Sequence, residues 1–448
     1  MFAKVTRANR TLVSTLSCLA GTAPRLLEER CHSPCCPLLL LVVPPHPSSP
    51  PVLDFSRYLP GGYATQTLAD LGANVIKVED TGAGDFMRHD YPTKGGGISY
   101  YVTALGRNKK SISLNLKDPD VVNYFLELAK DADIIVESFR PGVTKKLGID
   151  FDAVKAVNPD IIYCSISGYG STDPRSLKAQ HDLNMQATSG YLSLNGGTTS
   201  PLHLCDLSTG MVVGQALLAA LYARTQTGEG CYIDTSMFDC FVWWNSLLDS
   251  RWCFNDGQCS RDDLEYPSVA YNVYDTKDGG KLALGMVEPK FWQPFCDAIG
   301  HPEIKPDGLK RRWEAPESFK VVEEAILGKT TDEWVKWLED KDFCIAKVNT
   351  KTEAVAQICE ENPEALAWVE FPEVGRVLQT GLPHHLSNIP VKIEDFTAVS
   401  PLGADTIEVL TAAGVSADEL ARLKEKGSIR TGDDIEVEED RAPVAPVK

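Results

Sequence analysis

Residues 52–79 read VLDFSRYLPGGYATQTLADLGANVIKVE, and this stretch decides the fold. Its first residues, Val52–Ser56, form a short apolar run typical of a buried strand. The Gly61–Gly62 pair marks a turn, and Tyr63–Leu71 has the apolar spacing of a helix. Asn74–Glu79 has the pattern of a second strand. A strand–helix–strand unit of this kind predicts a parallel sheet with right-handed crossovers.

The same alternation of strand and helix patterns continues along the chain. The segments with strand patterns are Ser111–Leu116, Asp133–Glu137, Ile161–Ser165 and Gly230–Asp234, and those with helix patterns are Asp120–Lys130, Phe151–Val157 and Gly210–Arg224. We therefore predict an α/β domain with a mainly parallel sheet over this half of the chain.

A second domain is expected because 448 residues exceed what one hydrophobic core usually organises. After about Asp275 the pattern changes to one strand and three helices, which is typical of a smaller α+β domain. These segments are Lys281–Met286, Phe291–Ile299, Pro316–Leu327 and Thr331–Glu339. Two short helices, Thr406–Ala413 and Ser416–Lys426, precede an acidic run from Gly432 to Asp440 that we interpret as a solvated tail.

Residues 1–50 differ in composition from the rest of the chain. They are rich in arginine, nearly free of acidic residues, and end in a Pro-rich stretch. Such a start resembles a mitochondrial transit peptide, and a disordered leader or a mispredicted gene start is the alternative. We expect a mitochondrial protein, with the peroxisome and the cytoplasm as alternatives. The final Pro-Val-Lys448 is not the S-K-L peroxisomal address.

Charge and composition exclude several classes of function. The formal net charge of −18 argues against a general nucleic-acid binder, because an acidic surface repels phosphate backbones. No apolar run reaches the roughly 18 residues that span a bilayer. The 13 cysteines lack the paired spacing of a zinc site, so we expect no metal. The turn at Gly61 and Gly62 lacks the G-x-G-x-x-G pattern of a dinucleotide cofactor site.

Cations are concentrated at two places despite the acidic composition. The first is Arg107-Asn108-Lys109-Lys110, and the second comprises Arg140, Lys145 and Lys146. Both groups adjoin predicted strands, at loops where α/β folds usually bind ligands. They could grip the phosphates of an anionic ligand, and ordinary solvated charges are the alternative.

Three titratable residues are candidates for catalysis. His181 follows a polar loop and could transfer protons near neutral pH, although it could equally be a loop histidine. Asp206 lies just before the predicted helix Gly210–Arg224, where it could cap that helix or, among apolar neighbours, act as an acid. Glu288 lies where a strand gives way to a helix, a common place for a structural acid.

Several stretches resemble the family III CoA-transferase superfamily, in particular its α-methylacyl-CoA racemase branch. They are Gly62-Tyr-Ala-Thr65, Leu68-Ala-Asp-Leu-Gly-Ala73, Arg107-Asn-Lys-Lys-Ser-Ile112, Glu137-Ser-Phe-Arg-Pro-Gly142 and Tyr163-Cys-Ser-Ile-Ser-Gly-Tyr-Gly170. The resemblance runs from about Val52 to Ile429. It covers nearly all of the chain beyond residues 1–50.

Two positions resemble the racemases rather than the transferases. His181-Asp-Leu-Asn184 matches a histidine motif that transferases generally lack. Glu288-Pro-Lys-Phe291 matches a motif that transferases replace by a Gly- and Asn-rich loop. Asp206 matches an acid of both branches, which serves the transferases as a nucleophile.

The resemblance implies that His181 and Asp206 remove and return the α-proton of a 2-methylacyl-CoA thioester from opposite faces, through an enolate. Glu288, from a partner subunit, would hold the imidazole in position. Backbone N–H groups near Asp206 would form an oxyanion hole, and no metal or redox cofactor is implied. The alternative is a transferase that moves CoA between carboxylic acids through Asp206. The residues expected to bind CoA are Arg107, Asn108, Lys109, Lys110, Arg140 and Lys146.

The resemblance also implies a Rossmann-like large domain and a small α+β domain, joined by long linkers, in an interlocked homodimer. The implied segments are a leader (1–50), the large domain (51–240, completed by 391–430), a linker (241–271), the small domain (272–373), a return linker (374–390) and a tail (431–448).

Overall fold

The computed structural model describes residues 51–432, apart from 91, 95–97, 258–266, 372–373, 384 and 388–390. The predicted leader and all but two residues of the predicted tail lie outside the described residues. The strands are β1 (Val52–Phe55), β2 (Val75–Glu79), β3 (Thr93–Lys94), β4 (Ile98–Ser99), β5 (Lys109–Leu114), β6 (Ile134–Glu137), β7 (Ile162–Ser167), β8 (Cys231–Ser236), β9 (Tyr271–Asp275), β10 (Lys281–Gly285), β11 (Ile345–Lys347), β12 (Leu366–Phe371), β13 (Gly375–Thr380) and β14 (Ile429–Arg430).

The helices separate most of these strands along the chain. They are α1 (Tyr58–Asp70), α2 (Tyr100–Leu105), α3 (Pro119–Lys130), α4 (Val143–Leu147), α5 (Phe151–Val157), α6 (Asp182–Thr188), α7 (Tyr191–Leu194), α8 (Leu204–Thr227), α9 (Met237–Trp244), α10 (Ser246–Phe254), α11 (Pro289–Ala298), α12 (Pro316–Leu327), α13 (Thr331–Leu338), α14 (Lys351–Glu361), α15 (Thr406–Ala412) and α16 (Ala417–Glu425).

The central sheet has seven strands in the order β14-β5-β2-β1-β6-β7-β8. All neighbours are parallel except β14, which pairs antiparallel with β5. The inner strands are apolar and buried, as strands covered by helices on both faces must be. The predicted α/β fold is thus confirmed. The strand order reverses between β1 and β6, and such a switch point opens a ligand crevice beyond the carboxyl ends of the strands.

Alternate residues of each inner strand enter two cores on opposite faces of the sheet. Leu53 and Ile76 belong to the core covered by α3, α5, α15 and α16, in which Phe125 is central. Val52 and Val75 belong to the core covered by α1 and α8. The two C-terminal helices therefore pack on the sheet that the N-terminal half of the described chain forms.

Helix α8 begins at Leu204, six residues before the predicted start at Gly210. By length and composition alone it is the one helix in the described chain that could cross a membrane. In this structure its side chains Val213, Leu217 and Leu221 are buried against α1 and the sheet. The early start places Asp206 inside the first turn of the helix.

A separate core organises residues 269–345. Strands β9, β10 and β11 form an antiparallel sheet on which α11, α12 and α13 pack. Its centre is aromatic and contains Trp292, Phe295, Phe319 and Trp334. No residue of this cluster belongs to the clusters of the central sheet among the described residues.

Both segments interpreted as linkers contain regular structure. The aromatic run after β8 forms α9, whose first turn is capped by Ser236 accepting from the N–H of Asp239 at 3.1 Å, and α10 follows. Within 374–390, strand β13 pairs with β12 as a hairpin. The linker boundaries rested on the resemblance, whereas these segments form regular backbone hydrogen bonds of their own.

Arg107 fastens this hairpin to the large sheet. Its guanidinium donates twice to Asp70 on α1, at 2.6 and 3.1 Å, and once to Gln379 on β13 at 2.8 Å. It also lies over the ring of Phe396, 4.5 Å from the ring centroid. Arg107 is only 6% exposed. A guanidinium so enclosed joins segments that are far apart in sequence.

Replacing Arg107 by alanine is expected to lower the free energy of unfolding by about 3–5 kcal/mol, because it leaves the buried Asp70 carboxylate without its cationic partner. The matched control is Lys110→Ala, whose exposed pair with Glu408 is expected to contribute about 0–1 kcal/mol. Urea denaturation followed by circular dichroism measures both values. Equal losses in the two variants would contradict the buried role of Arg107.

Candidate active site

The candidate catalytic residues lie beyond the carboxyl ends of the parallel strands. His181 ends the loop that follows β7 and immediately precedes α6. Asp206 lies in the first turn of α8, against which α6 packs. The sequence predicted both residues, and the structure places them on two contacting helices at the same end of the sheet.

Asp182 joins these two helices. One oxygen of its carboxylate accepts from the backbone N–H of Cys205 at 2.7 Å and of Asp206 at 3.3 Å. The other accepts from the amide of Gln186 at 2.6 Å. Asp182, rather than Asp206, thus satisfies the N-terminal N–H groups of α8, so the cap alternative for Asp206 is excluded. The backbone N–H groups of Cys205 and Asp206 donate to Asp182 in this conformation, and the oxyanion hole expected near Asp206 stays a prediction.

The Asp206 carboxyl is set up to hold a proton. Burial, and to a smaller extent the negative charge of Asp182, raise its pKa from 3.8 to about 7. A carboxyl with such a pKa is present in both protonation states near neutral pH, as a group that gives and takes a proton must be.

His181 is exposed at the start of α6. Its backbone N–H donates to the side chain of Asn184 at 3.2 Å, which fixes the start of α6. Its ring meets the ring of Tyr58 edge to face, with centroids 6.1 Å apart. Tyr58 has a φ of 59°, unusual for a residue with a Cβ, and stacks on Phe86 at 5.9 Å. Two stacked aromatic rings, those of Tyr58 and Phe86, therefore lie beside His181.

Tyr101 and His203 complete the cluster, and the sequence analysis missed both. The Tyr101 hydroxyl and Nε2 of His203 are 2.9 Å apart, and Nδ1 of His203 is 3.7 Å from Asp182. His203 lies one helical turn before Asp206. That spacing would have been the signal had the helix start been placed at Leu204.

Three side chains of this cluster could together hold a cation. Ligand atoms of Asp182, His203 and Asp206 all lie within 4.8 Å of one another. Both oxygens of Asp182 already accept hydrogen bonds from N–H donors, which reduces what this residue can offer a metal.

Glu288 lies apart from the cluster within the single chain. It is exposed and precedes α11 in the small core unit. No hydrogen bond or ion pair joins it to His181 or Asp206 in the part of the chain that the structure describes. Its assignment to the site of a partner subunit stays a prediction.

Lys109 and Asn108, predicted to bind CoA, have internal partners. Lys109 is buried and donates to Asp54, Thr65 and the carbonyl of Gly62 at 3.3, 2.7 and 3.0 Å. Burial lowers its pKa to about 8. Asn108 donates to the same carboxylate as Arg107, that of Asp70, at 2.8 Å. In this conformation the three side chains Arg107, Asn108 and Lys109 serve internal contacts.

The remaining predicted cations stay accessible. Arg140 and Lys146 are exposed on the loop and helix after β6, and Lys110 is half-buried beside Glu408. Their role in CoA binding stays a prediction.

A pocket of about 230 Å³ lies at the switch point of the sheet. Arg57, which follows β1, lines it and was missed by the sequence analysis. Its guanidinium donates to Asp80 at 2.8 Å and lies near the rings of Phe86 and Phe139, at 5.2 and 5.7 Å. The backbone N–H of Arg57 donates to the hydroxyl of Ser138 at 2.8 Å, which joins the loops after β1 and β6.

Comparison with known proteins identifies relatives over most of the chain. A family model described as CoA-transferase family III matches residues 51–406. Alpha-methylacyl-CoA racemase of Homo sapiens is 30% identical over 387 residues, covering 83% of this chain and 94% of the relative. Succinyl-CoA:glutarate CoA-transferase of Homo sapiens is 32% identical over 342 residues, covering 74% and 78%. A crystal structure of Rv3272 from M. tuberculosis has a TM-score of 0.69 at 26% identity, covering 82% and 99%.

The raised pKa of Asp206 predicts a pH-dependent effect of Asp206→Asn on stability. Because the pKa is about 7 in the folded state against 3.8 otherwise, the protonated carboxyl favours folding. This contribution is complete below pH about 4 and is lost as pH rises through 7. After discounting for solvent screening, the free energy of unfolding of the wild type is expected to fall by about 1 kcal/mol between pH 5.8 and pH 8, relative to that of Asp206→Asn. Urea denaturation at both pH values measures it, and a difference that stays constant would contradict the raised pKa.

Proposed function

The chain belongs to CoA-transferase family III, and on that premise we propose that it is an α-methylacyl-CoA racemase. The proposed reaction epimerises a 2-methylacyl-CoA thioester by moving the α-proton from one face of the carbon to the other. The observation that carries the proposal is the half-buried Asp206, whose pKa of about 7 suits proton transfer, on a helix packed against the one that His181 precedes.

The chemistry needs one proton acceptor and one proton donor. The α-proton of a thioester is weakly acidic, so the base must act while the enolate oxygen is stabilised. His181 would act on one face and Asp206 on the other, with the direction of the reaction deciding which is the base. Such a proton transfer moves no electrons between redox centres. We therefore propose that it requires neither a metal nor a redox cofactor.

The sequence context of His181 favours racemase over transferase. An imidazole adds a second proton-transfer group, which a racemase needs and a purely nucleophilic transferase does not.

For CoA we propose the crevice at the switch point of the sheet. Arg57 lines it, and Arg140 and Lys146 are the chain neighbours of the lining residues Phe139 and Leu147. We propose that these three cations meet the phosphates. Lys110 lies at the start of β5, on the same sheet. Arg107, Asn108 and Lys109 would act indirectly, by holding the loop before β5 in place.

A second copy of the chain would supply Glu288 to the site. Five large apolar side chains on α9 and α10 support a homodimer, because their exposure is typical of an unpaired interface. They are Trp243, Trp244, Leu247, Trp252 and Phe254. For the compartment we propose the mitochondrion, on the composition of residues 1–50.

A transferase that moves CoA between carboxylic acids is the second candidate. Most of the named relatives are CoA-transferases, including those for glutarate and oxalate. In that reaction Asp206 would attack the thioester and carry the acyl group and then CoA. An aspartate nucleophile must be ionised, and a pKa of about 7 makes that less favourable than an ordinary carboxylate would.

Proton exchange in D2O separates the two candidates. A single 2-methylacyl-CoA epimer, incubated without an acceptor acid, is expected to gain α-deuterium and lose chirality, followed by NMR and chiral analysis. Asp206→Asn and His181→Ala are expected to reduce racemisation at least about 100-fold, since each removes one proton carrier. Each variant should still exchange the α-proton of the one epimer that faces its remaining residue.

The contrary result is equally clear. Wild type that exchanges no α-proton, but moves CoA to added succinate and forms a hydroxylamine-sensitive adduct at Asp206, would make the protein a transferase.

Complementation tests the origin of Glu288. Glu288→Gln and His181→Ala are each expected to be inactive as homodimers. Chains of the two variants, co-expressed, should regain about a quarter of the wild-type activity, because half of the dimers hold one intact site. Activity that stays at the background level in a confirmed heterodimer would show that Glu288 does not serve the partner's site.

A further inference from the structure

Every turnover of a two-residue proton transfer leaves the enzyme altered. After Asp206 gives its proton and His181 takes one, Asp206 is deprotonated and the imidazole of His181 is protonated. The next turnover in the same direction needs a proton returned to Asp206 from solvent. This return of a proton to Asp206 is required only if the proposed racemase function holds.

Asp206 is half-buried, whereas His203 beside it is exposed. The carboxyl of Asp206 is buried enough for its pKa to rise to about 7. The side chain of His203 is 51% exposed, and a ring nitrogen lies within 4.8 Å of a carboxylate oxygen of Asp206. One water molecule, or a small rotation of either side chain, spans that separation.

Neighbouring groups hold the His203 ring in this place. Nε2 is 2.9 Å from the hydroxyl of Tyr101 on α2, and Nδ1 is 3.7 Å from Asp182 on α6. Asp206 itself is the facing group on α8. Tyr100 packs on Tyr101 with ring centroids 4.2 Å apart. Each ring nitrogen therefore has a polar group with which it can exchange a proton.

We propose that His203 relays protons between solvent and the carboxyl of Asp206. In the return step the N–H bond of the imidazolium breaks as the O–H bond of the Asp206 carboxyl forms. The neutral imidazole then takes a proton from water, so no oxidant or further reactant is needed. When the reaction runs in the other direction, the same steps reverse and remove the proton that Asp206 has gained.

His203 acts through Asp206 and touches no reacting atom of the substrate, so it is a positioning residue. Its side chain makes no hydrogen bond that caps α8, since Asp182 supplies that contact. Replacing it should therefore leave the helix folded. The relay predicts a defect that is confined to repeated turnover.

The test compares His203→Gln with wild type in single-turnover and steady-state racemisation. With enzyme in excess, the variant is expected to keep its rate within about twofold, because Asp206 starts with its proton. In the steady state kcat is expected to fall about tenfold or more, with KM within about twofold. Free imidazole should restore kcat in His203→Ala. The matched control is His301→Gln, an exposed histidine paired with Glu303, for which no change is expected.

Two results would overturn the relay. One is a steady-state kcat in His203→Gln equal to that of wild type. The other is an equal loss in both regimes that imidazole does not restore in His203→Ala. Wild type without α-proton exchange would instead defeat the proposed racemase function, so the two failures are distinguishable.

Discussion

The hydrogen bonds from the Asp182 carboxylate to the first turn of α8 are the contact on which the site depends. They satisfy the N–H groups of Cys205 and Asp206, which would otherwise be unpaired beneath α6. They also fix the distance between the helix that His181 precedes and the helix that carries Asp206. The same negative charge helps to keep Asp206 protonated. One carboxylate therefore sets both the geometry and the electrostatics of the two proposed proton carriers.

The sheet provides the frame for this contact by placing loops from distant segments at one edge. Arg57 binds Ser138 across the switch point, and Arg107 fastens the β12–β13 hairpin to α1. A buried charge such as that of Arg107 contributes little net stability when paired but is costly to leave unpaired. Such charges act mainly by excluding other arrangements of the loops. Arg140 is exposed on the loop after β6, and its binding of an anionic ligand stays a proposal.

The sequence predicted strongly periodic elements closely, and α5 and α12 have the predicted bounds. The sequence misplaced the start of α8, because the polar residues before Gly210 interrupt the apolar period of the helix. The cap of the true start comes from Asp182 on α6, which lies too far away in sequence to be recognised as a capping residue. The sequence analysis assigned Lys109 to a ligand because the burial of a charge depends on partners far away in sequence, here Asp54. His181 and Asp206 were found by resemblance, whereas His203 was missed because its role depends on contacts in three dimensions.

Strand β14 has a consequence for how the protein is made. It covers the edge of β5 with Ile429 and Arg430, the last residues of the large domain. At about 5–20 residues per second, synthesis of the roughly 315 residues between the two strands takes on the order of 15–60 s. Throughout that time the nascent large domain exposes an unpaired strand edge, the kind of surface that invites aggregation. Recognition of this edge by chaperones would therefore matter until β14 has paired with β5.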